Sequence, residues 1–254
     1  MNATDPGSGP AWPRVETYDY ALFGPVEVRP LSRIRQVIAR RLEASWANVP
    51  HVAQFDEVDI TRLQALRAQC LPDARATGVK LTLLAFAMRA CANALKAFPE
   101  FNASLDGSGK NLVLKRYCHI AFAAETPVGL LAPVLRDVDK KGLLDLAREL
   151  GEISKKARDK KLGPNDMSGG CFSISSLGGI GGTAFTPIVN APEVAILGVS
   201  KASMKPVWNG KEFAPRLMLP LSLSYDHRVI DGALAARFAV FVAKQLGDIR
   251  RLLL

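Results

Sequence analysis

The sequence predicts an α/β fold in the form of a mixed-sheet sandwich. Three observations carry that expectation. Strand-like and helix-like segments are intermixed without the regular βαβ period of a doubly wound sheet. The stretch from Leu81 to Phe98 is long and apolar enough for a helix buried on most sides. Near the chain end, "LMLPLSLSYDH" (217–227) reads as a strand that runs into an amphipathic closing helix, "RVIDGALAARFAVFVAKQLGDIRRLL". At 254 residues the chain is long enough to bury a sizeable core in one large domain or two small ones.

Residues 1–27 are rich in Gly, Pro, Ala and Asp and lack sustained periodicity, so they read as a linker or tail. The remainder, 28–254, reads as the folded domain. From Leu31 the pattern turns helical: Ile34, Val37, Ile38, Leu42 and Trp46 recur at three- and four-residue spacing, with Ser32 as N-cap and Pro50 blocking continuation. "HVAQFDEVDI" (51–60) alternates as a strand. Asp59 or Thr61 is placed to cap a helix over Leu63–Leu71, and Pro99 ends the helix that begins near Leu81. Residues 112–126 have the content of one or two strands, 130–138 of another, and Leu143–Lys160 of an amphipathic helix. "CFSISSLG" (171–178) and "EVAILGVS" (193–200) are strand-like runs on either side of a Gly- and Thr-rich loop.

Composition narrows the function classes. Hydrophobic residues make up 48% and charged residues 22%, an ordinary globular balance. No run of about 18 apolar residues is present and no basic segment followed by an apolar stretch opens the chain, so neither a membrane span nor a secretory signal is expected. Cysteines at 70, 91, 118 and 171 form no CxxC pair and pair with no histidine at zinc spacing. They read as reduced, buried hydrophobes, no metal is expected, and the cytoplasm fits. The net charge of +9 suits an anionic partner such as a phosphorylated cofactor. Nucleic acid is a poor match, because the basic residues are dispersed and aromatics, at 7%, do not interleave with them.

Two segments carry candidate chemistry. In "SLSYDHRVIDGALAARF", His227 stands at a strand-to-helix turn, followed by Asp231 and Gly232 at HxxxDG spacing. Imidazole titrates near neutrality and suits removal of a thiol or hydroxyl proton. Asp231 is a candidate for fixing the local geometry or the imidazole orientation. In "FSISSLGGIGGTAFTPIVNAPEVAILGVS", a serine-bearing strand entering a Gly-rich loop presents Ser175 or Ser176 as a hydroxyl donor. "GGIGG" has neither the GK[ST] ending of a P-loop nor a capped helix directly after it, so turn geometry accounts for its glycines better than phosphate binding does.

Four segments in order, "NVPHVAQFDEVDIT", "HIAFAAETPVGLLAPVLRDVDKKGLLDLARE", "FSISSLGGIGGTAFTPIVNAPEVAILGVSKA" and "LSLSYDHRVIDGA", resemble the 2-oxo acid dehydrogenase acyltransferase family. The similarity runs from about Val28 to Leu254 and is greatest to the pyruvate-type acetyltransferases. The resemblance implies the fold of chloramphenicol acetyltransferase, assembled as homotrimers with active sites between subunits. Such trimers build larger cages, with 24 chains favoured over 60. It implies coenzyme A as substrate or product. It also implies a lipoyl group on a separate domain, and pyruvate dehydrogenase and dihydrolipoamide dehydrogenase as partners through domains not seen in this sequence. The chain then reads as a core, with 1–27 the remnant of a linker.

Matched by motif, His227 is the family's general base and Asp231 the acidic position of the same motif, a position that varies within the family. Ser175 matches the serine that hydrogen-bonds the developing oxyanion. The resemblance puts the histidine and the serine in neighbouring subunits. Arg33 and residues of "KASMK" are candidates for the coenzyme A phosphates. Thr126, Pro127, Phe185 and Thr186 are expected to line the channel.

The alternatives are a succinyl or branched-chain acyltransferase of the same family, a non-catalytic scaffold subunit of such a complex, and an acetyltransferase acting on a hydroxyl acceptor. A further rival makes Cys171 an acyl-enzyme nucleophile; its strand position, without a base nearby in sequence, disfavours that. The ending "DIRRLLL" reads either as core or, by the resemblance, as a segment that docks on a neighbouring trimer.

Overall fold

In a computed structural model the chain is described over residues 16–127 and 129–253, with the side chain of Leu253 also left aside. Expectations for residues 1–15, Val128 and Leu254 lie outside the described residues. The elements in order are α1 (Arg33–Asn48), β1 (His51–Asp59), α2 (Thr61–Ala76), α3 (Leu83–Ala97), β2 (Ala103–Leu105), β3 (Leu112–Leu114), β4 (Ile120–Phe122), β5 (Ala124–Thr126), β6 (Gly129–Leu131), β7 (Val134–Leu135), α4 (Leu143–Arg158), β8 (Phe172–Ser176), β9 (Ala195–Val199), β10 (Ser203–Trp208), β11 (Phe213–Asp226), α5 (Gly232–Gly247) and α6 (Ile249–Leu253).

The main sheet has the order β1-β11-β9-β8-β4-β7, with β10 also paired to β11; β2–β3 and β5–β6 form two small hairpin sheets. It is mixed: β8 runs parallel to β4 and β9, and the other pairings are antiparallel. A single long strand organises it. Along β11, Leu219, Leu221, Leu223 and Tyr225 are buried among the helices, while Ser222, Ser224 and Asp226 face the other side, as period-two alternation requires.

The helical layer is centred on α3, whose Ala85, Phe86, Met88, Ala90, Cys91, Ala94 and Leu95 are almost wholly buried. Its many alanines allow close approach to α4 and α5. Phe238 of α5 stacks on Phe101 at 3.9 Å and 18°, and Phe98 meets Phe238 edge-on. Burial of one such aromatic contributes about 1.5–3 kcal/mol.

Several boundaries differ from the sequence expectation for identifiable reasons. Residues 112–126 make three short strands rather than one or two. The Asn102 side-chain amide takes the carbonyls of Lys115 and Tyr117, both at 2.9 Å, so the backbone there bonds a side chain instead of a strand. The single strand expected over 130–138 divides into β6 and β7. Pro133 offers no N–H to a ladder, and Asp137 adopts a left-handed conformation with φ 47°. Helix α2 runs on to Ala76, past Pro72, which forfeits one backbone bond without ending the helix. "KASMK" enters β10, a strand the sequence reading did not foresee.

Ser32 does cap α1, accepting from the Arg35 N–H at 3.3 Å. Among the described residues nothing fully covers the apolar stripe of this helix: Ile34, Val37 and Leu42 are about 40% exposed and Trp46 65%. At the other terminus Leu252 is buried in the core, with its carbonyl held by Arg89 Nε. For this leucine the core reading holds, and removing it would disturb the domain itself.

Candidate active site

The non-helical face of the sheet is covered by the segment between β8 and β9. Val189 packs there with Val49 and Ile196, and Phe185 lies across Gly198. A Cβ at Gly198 would stand 2.8 Å from Phe185 Cζ and 3.2 Å from Ser222 Cβ. Only glycine accommodates that ring against the strand. Register places Ser175, Gly198, Ser222 and Phe55 side by side on β8, β9, β11 and β1. Ser175 is half-buried, and its hydroxyl makes no hydrogen bond to the described residues. Phe185, expected to line a channel, therefore sits beside the serine that was expected to stabilise the oxyanion. Ser222 is fully buried, and its hydroxyl has no hydrogen-bond partner among the described residues.

His227 opens the turn after β11 and is exposed. Its backbone N–H donates to the Pro50 carbonyl at 3.1 Å, and its ring lies 5.8 Å from that of Tyr225. No hydrogen bond among the described residues engages the imidazole, so it is available to a substrate. Two neighbours stiffen the turn. Asp226, 2% exposed, receives the Arg228 guanidinium in a two-point bond, Nε to Oδ1 at 2.9 Å and Nη2 to Oδ2 at 2.6 Å. It also takes the Arg228 N–H at 3.0 Å. Asp231 N-caps α5 by accepting from the Leu234 N–H at 2.7 Å. Burial and the Asp231 charge together push the Tyr225 hydroxyl pKa up, so this phenol stays neutral.

The chain does not bring His227 and Ser175 together. Ser175 is level with Ser222, and His227 lies five residues beyond Ser222, just past the end of β11. The separation is about 17 Å along the strands and about 10 Å across two strand spacings. Thr126 is buried and its hydroxyl donates to the Gly129 carbonyl at 2.6 Å, while Pro127 occupies the turn that follows. Thr186 and Arg33 are exposed. In "KASMK", Lys201 is exposed and Lys205 pairs with Glu57.

Cys171 is fully buried, burial raises its thiol pKa, and its sulfur is 3.5 Å from the Tyr117 carbonyl. That environment is inert and leaves the acyl-enzyme rival without a nucleophile. Among the described residues no cluster of His, Cys, Asp and Glu is placed to hold a metal, and no helix is long and apolar enough to cross a membrane.

The sequence reading missed two features built on buried carboxylates. One is the Asp226–Arg228 pair flanking His227, signalled by opposite charges two residues apart around the turn. The other is Glu193, 5% exposed and hydrogen-bonded by the Ser173 hydroxyl at 2.6 Å. A lone acid beside the apolar run "VAILGV" was its signal, since an unpaired carboxylate is almost never buried.

The model of the 2-oxoacid dehydrogenases acyltransferase catalytic domain matches residues 23–254. This chain belongs to that family. It is 57% identical over 243 residues to the dihydrolipoyllysine-residue acetyltransferase component of the pyruvate dehydrogenase complex of Cupriavidus necator, covering 96% of this chain and 43% of that one. To the same component of Azotobacter vinelandii it is 60% identical, over 93% and 37% respectively. The chain therefore spans about two-fifths of the length of these relatives. Two solved structures superpose with a TM-score of 0.94 at 59% identity, over 95% of this chain and 100% of theirs. One is of Azotobacter vinelandii dihydrolipoamide acetyltransferase and concerns a serine, a histidine and an asparagine in its catalytic mechanism. The other is the cubic core of a pyruvate dehydrogenase multienzyme complex. Chloramphenicol acetyltransferase superposes over 85% of this chain and 94% of its own with a TM-score of 0.52 at 17% identity, so the family's fold is the one expected from the sequence.

Proposed function

We propose that this chain is the catalytic core of a dihydrolipoyl acetyltransferase, transferring an acetyl group between coenzyme A and a lipoyl thiol by direct thioester exchange. One observation carries the reading. In the 59% identical Azotobacter enzyme the serine and histidine stand fifty-two positions apart and the asparagine four beyond, and Ser175, His227 and Asp231 have the same intervals here. This chain departs from that enzyme in having aspartate at the third position.

His227 takes the proton from the attacking thiol as sulfur reaches the acetyl carbonyl, the Ser175 hydroxyl donates to the tetrahedral oxyanion, and His227 returns the proton to the departing thiolate. No covalent enzyme intermediate is needed. The distance between the two residues within one chain favours a site built between subunits, with His227 from one and Ser175 from its neighbour. The uncovered apolar stripe of α1 supports association, since monomers seldom leave such a stripe to solvent. Assembly is as homotrimers joined into a cage, with 24 chains favoured by the likeness to a cubic core. The pyruvate dehydrogenase and dihydrolipoamide dehydrogenase components would dock through other parts of the full-length protein, in the cytoplasm. Arg33 and Lys201 are proposed for the coenzyme A phosphates, and Thr126, Phe185 and Thr186 for the channel wall.

Acetyl transfer from acetyl-CoA by the purified protein tests the reading, with dihydrolipoamide and chloramphenicol offered as separate acceptors. Acetylation of dihydrolipoamide alone is expected. Acetylation of the hydroxyl acceptor instead would move the chain to the antibiotic-modifying branch of the fold. Preference for succinyl-CoA or a branched donor would reassign its acyl group.

A further inference from the structure

Glu193 lies outside both catalytic positions, yet several elements converge on its segment. Its carboxyl takes the Ser173 hydroxyl at 2.6 Å, and Ser173 is two residues before Ser175 on the same face of β8. Gly170 makes room for it: a Cβ there would stand 2.7 Å from Glu193 Oε1. The backbone around it is fixed on every side. Ala191 N–H donates to Ser45 Oγ of α1 at 3.2 Å, Ser104 Oγ of β2 donates to the Pro192 carbonyl at 2.5 Å, and Val189 N–H donates to His51 Nε2 at 2.9 Å. The next residue, Val194, accepts the N–H of Asp226 at 2.8 Å, and Asp226 directly precedes His227.

We propose that Glu193 is a positioning residue whose buried carboxyl ties the Ser175-bearing strand to the segment that fixes the backbone before His227. This rests on the proposed acetyltransferase reading. If the histidine and the serine of one chain serve different subunit interfaces, the same carboxyl braces two catalytic centres at once.

Burial raises the Glu193 pKa from its ordinary 4.5 to about 7, against the lowering pull of Ser173, Lys115 and Asn190. Lys115, beyond the end of β3, and the Cys171 thiol, just before β8, are the titratable groups near it. The carboxyl therefore ionises near neutral pH. The ionised form is the better acceptor for Ser173 and Asn190 and holds the brace tighter. Its folded pKa lies above its unfolded one, so its contribution to stability is fully present below pH 4.5 and is lost as pH rises through 7. Stability and catalytic bracing then move in opposite directions with pH.

The test uses the full assembled protein and its Ser173→Ala and Glu193→Gln variants. For Ser173→Ala, amide exchange across 189–194 and at Asp226 is expected to speed up about tenfold, and kcat to fall about tenfold while KM for acetyl-CoA holds within about twofold. For Glu193→Gln, kcat relative to wild type is expected to fall from near unity at pH 6 to about a third at pH 8.5, while its relative melting temperature rises over the same interval. Unchanged exchange protection in assembled Ser173→Ala protein would overturn the brace, as would a Glu193→Gln activity ratio that stays level with pH. A wild type that transfers no acetyl group would sink the catalytic reading instead, and the exchange measurement would still decide the brace.

Discussion

Replacement of His227 by alanine is expected to lower kcat for acetyl transfer to dihydrolipoamide by about 10²- to 10⁴-fold, the range typical for loss of a positioned general base. The loss should fall on kcat rather than on KM, because the imidazole acts on the proton in flight and contributes little to holding either thiol-bearing arm. The fold should survive. The His227 side chain is exposed and makes no hydrogen bond among the described residues, and the turn is kept by backbone bonds from Val229 and Ile230 N–H to the Asp226 carbonyl, each at 3.0 Å. The Asp226–Arg228 pair also remains in place. Steady-state rates beside a melting curve check both halves. An assembled variant that keeps wild-type kcat would remove His227 from the chemistry.

Ser175→Ala is expected to lower kcat by about 10²- to 10³-fold, the effect seen when a single oxyanion donor is removed. The half-buried hydroxyl has no hydrogen-bond partner among the described residues, so its loss leaves no orphaned group there and should cost under about 1 kcal/mol of stability. Ser176, exposed at the strand end and on the opposite face, provides the control: its alanine variant should remain within about threefold of wild type. If the Ser176 variant is the impaired one, the oxyanion donor has been assigned to the wrong serine.

Much of this was legible in the sequence, and the limits follow from the physics. Helix α1, with its Ser32 cap, could be read because its signals are local, as could α3 and the long strand β11. The burial of α1 could not: its spacing shows an apolar stripe but not whether the chain itself or another subunit covers it. The breakup of 112–126 depends on the Asn102 amide reaching carbonyls more than ten residues away, and no window of local propensity contains that bond. His227 and Ser175 stood out by motif. That they lie at opposite ends of the sheet emerges only from the register through β8, β9 and β11. Glu193 was visible as an oddity, but its partner Ser173 lies twenty residues back and is brought beside it by the β8–β9 crossover.

A site shared between subunits is the central claim, and mixing two inactive variants tests it most directly. His227→Ala and Ser175→Ala chains would be unfolded together and reassembled in equal amounts. Random assortment pairs an intact histidine with an intact serine from the neighbour at about a quarter of interfaces. The mixture should then recover about a quarter of wild-type activity, although each variant assembled alone is nearly inert. A mixture no more active than its components would contradict the shared site and require His227 and Ser175 to act within one chain or not at all.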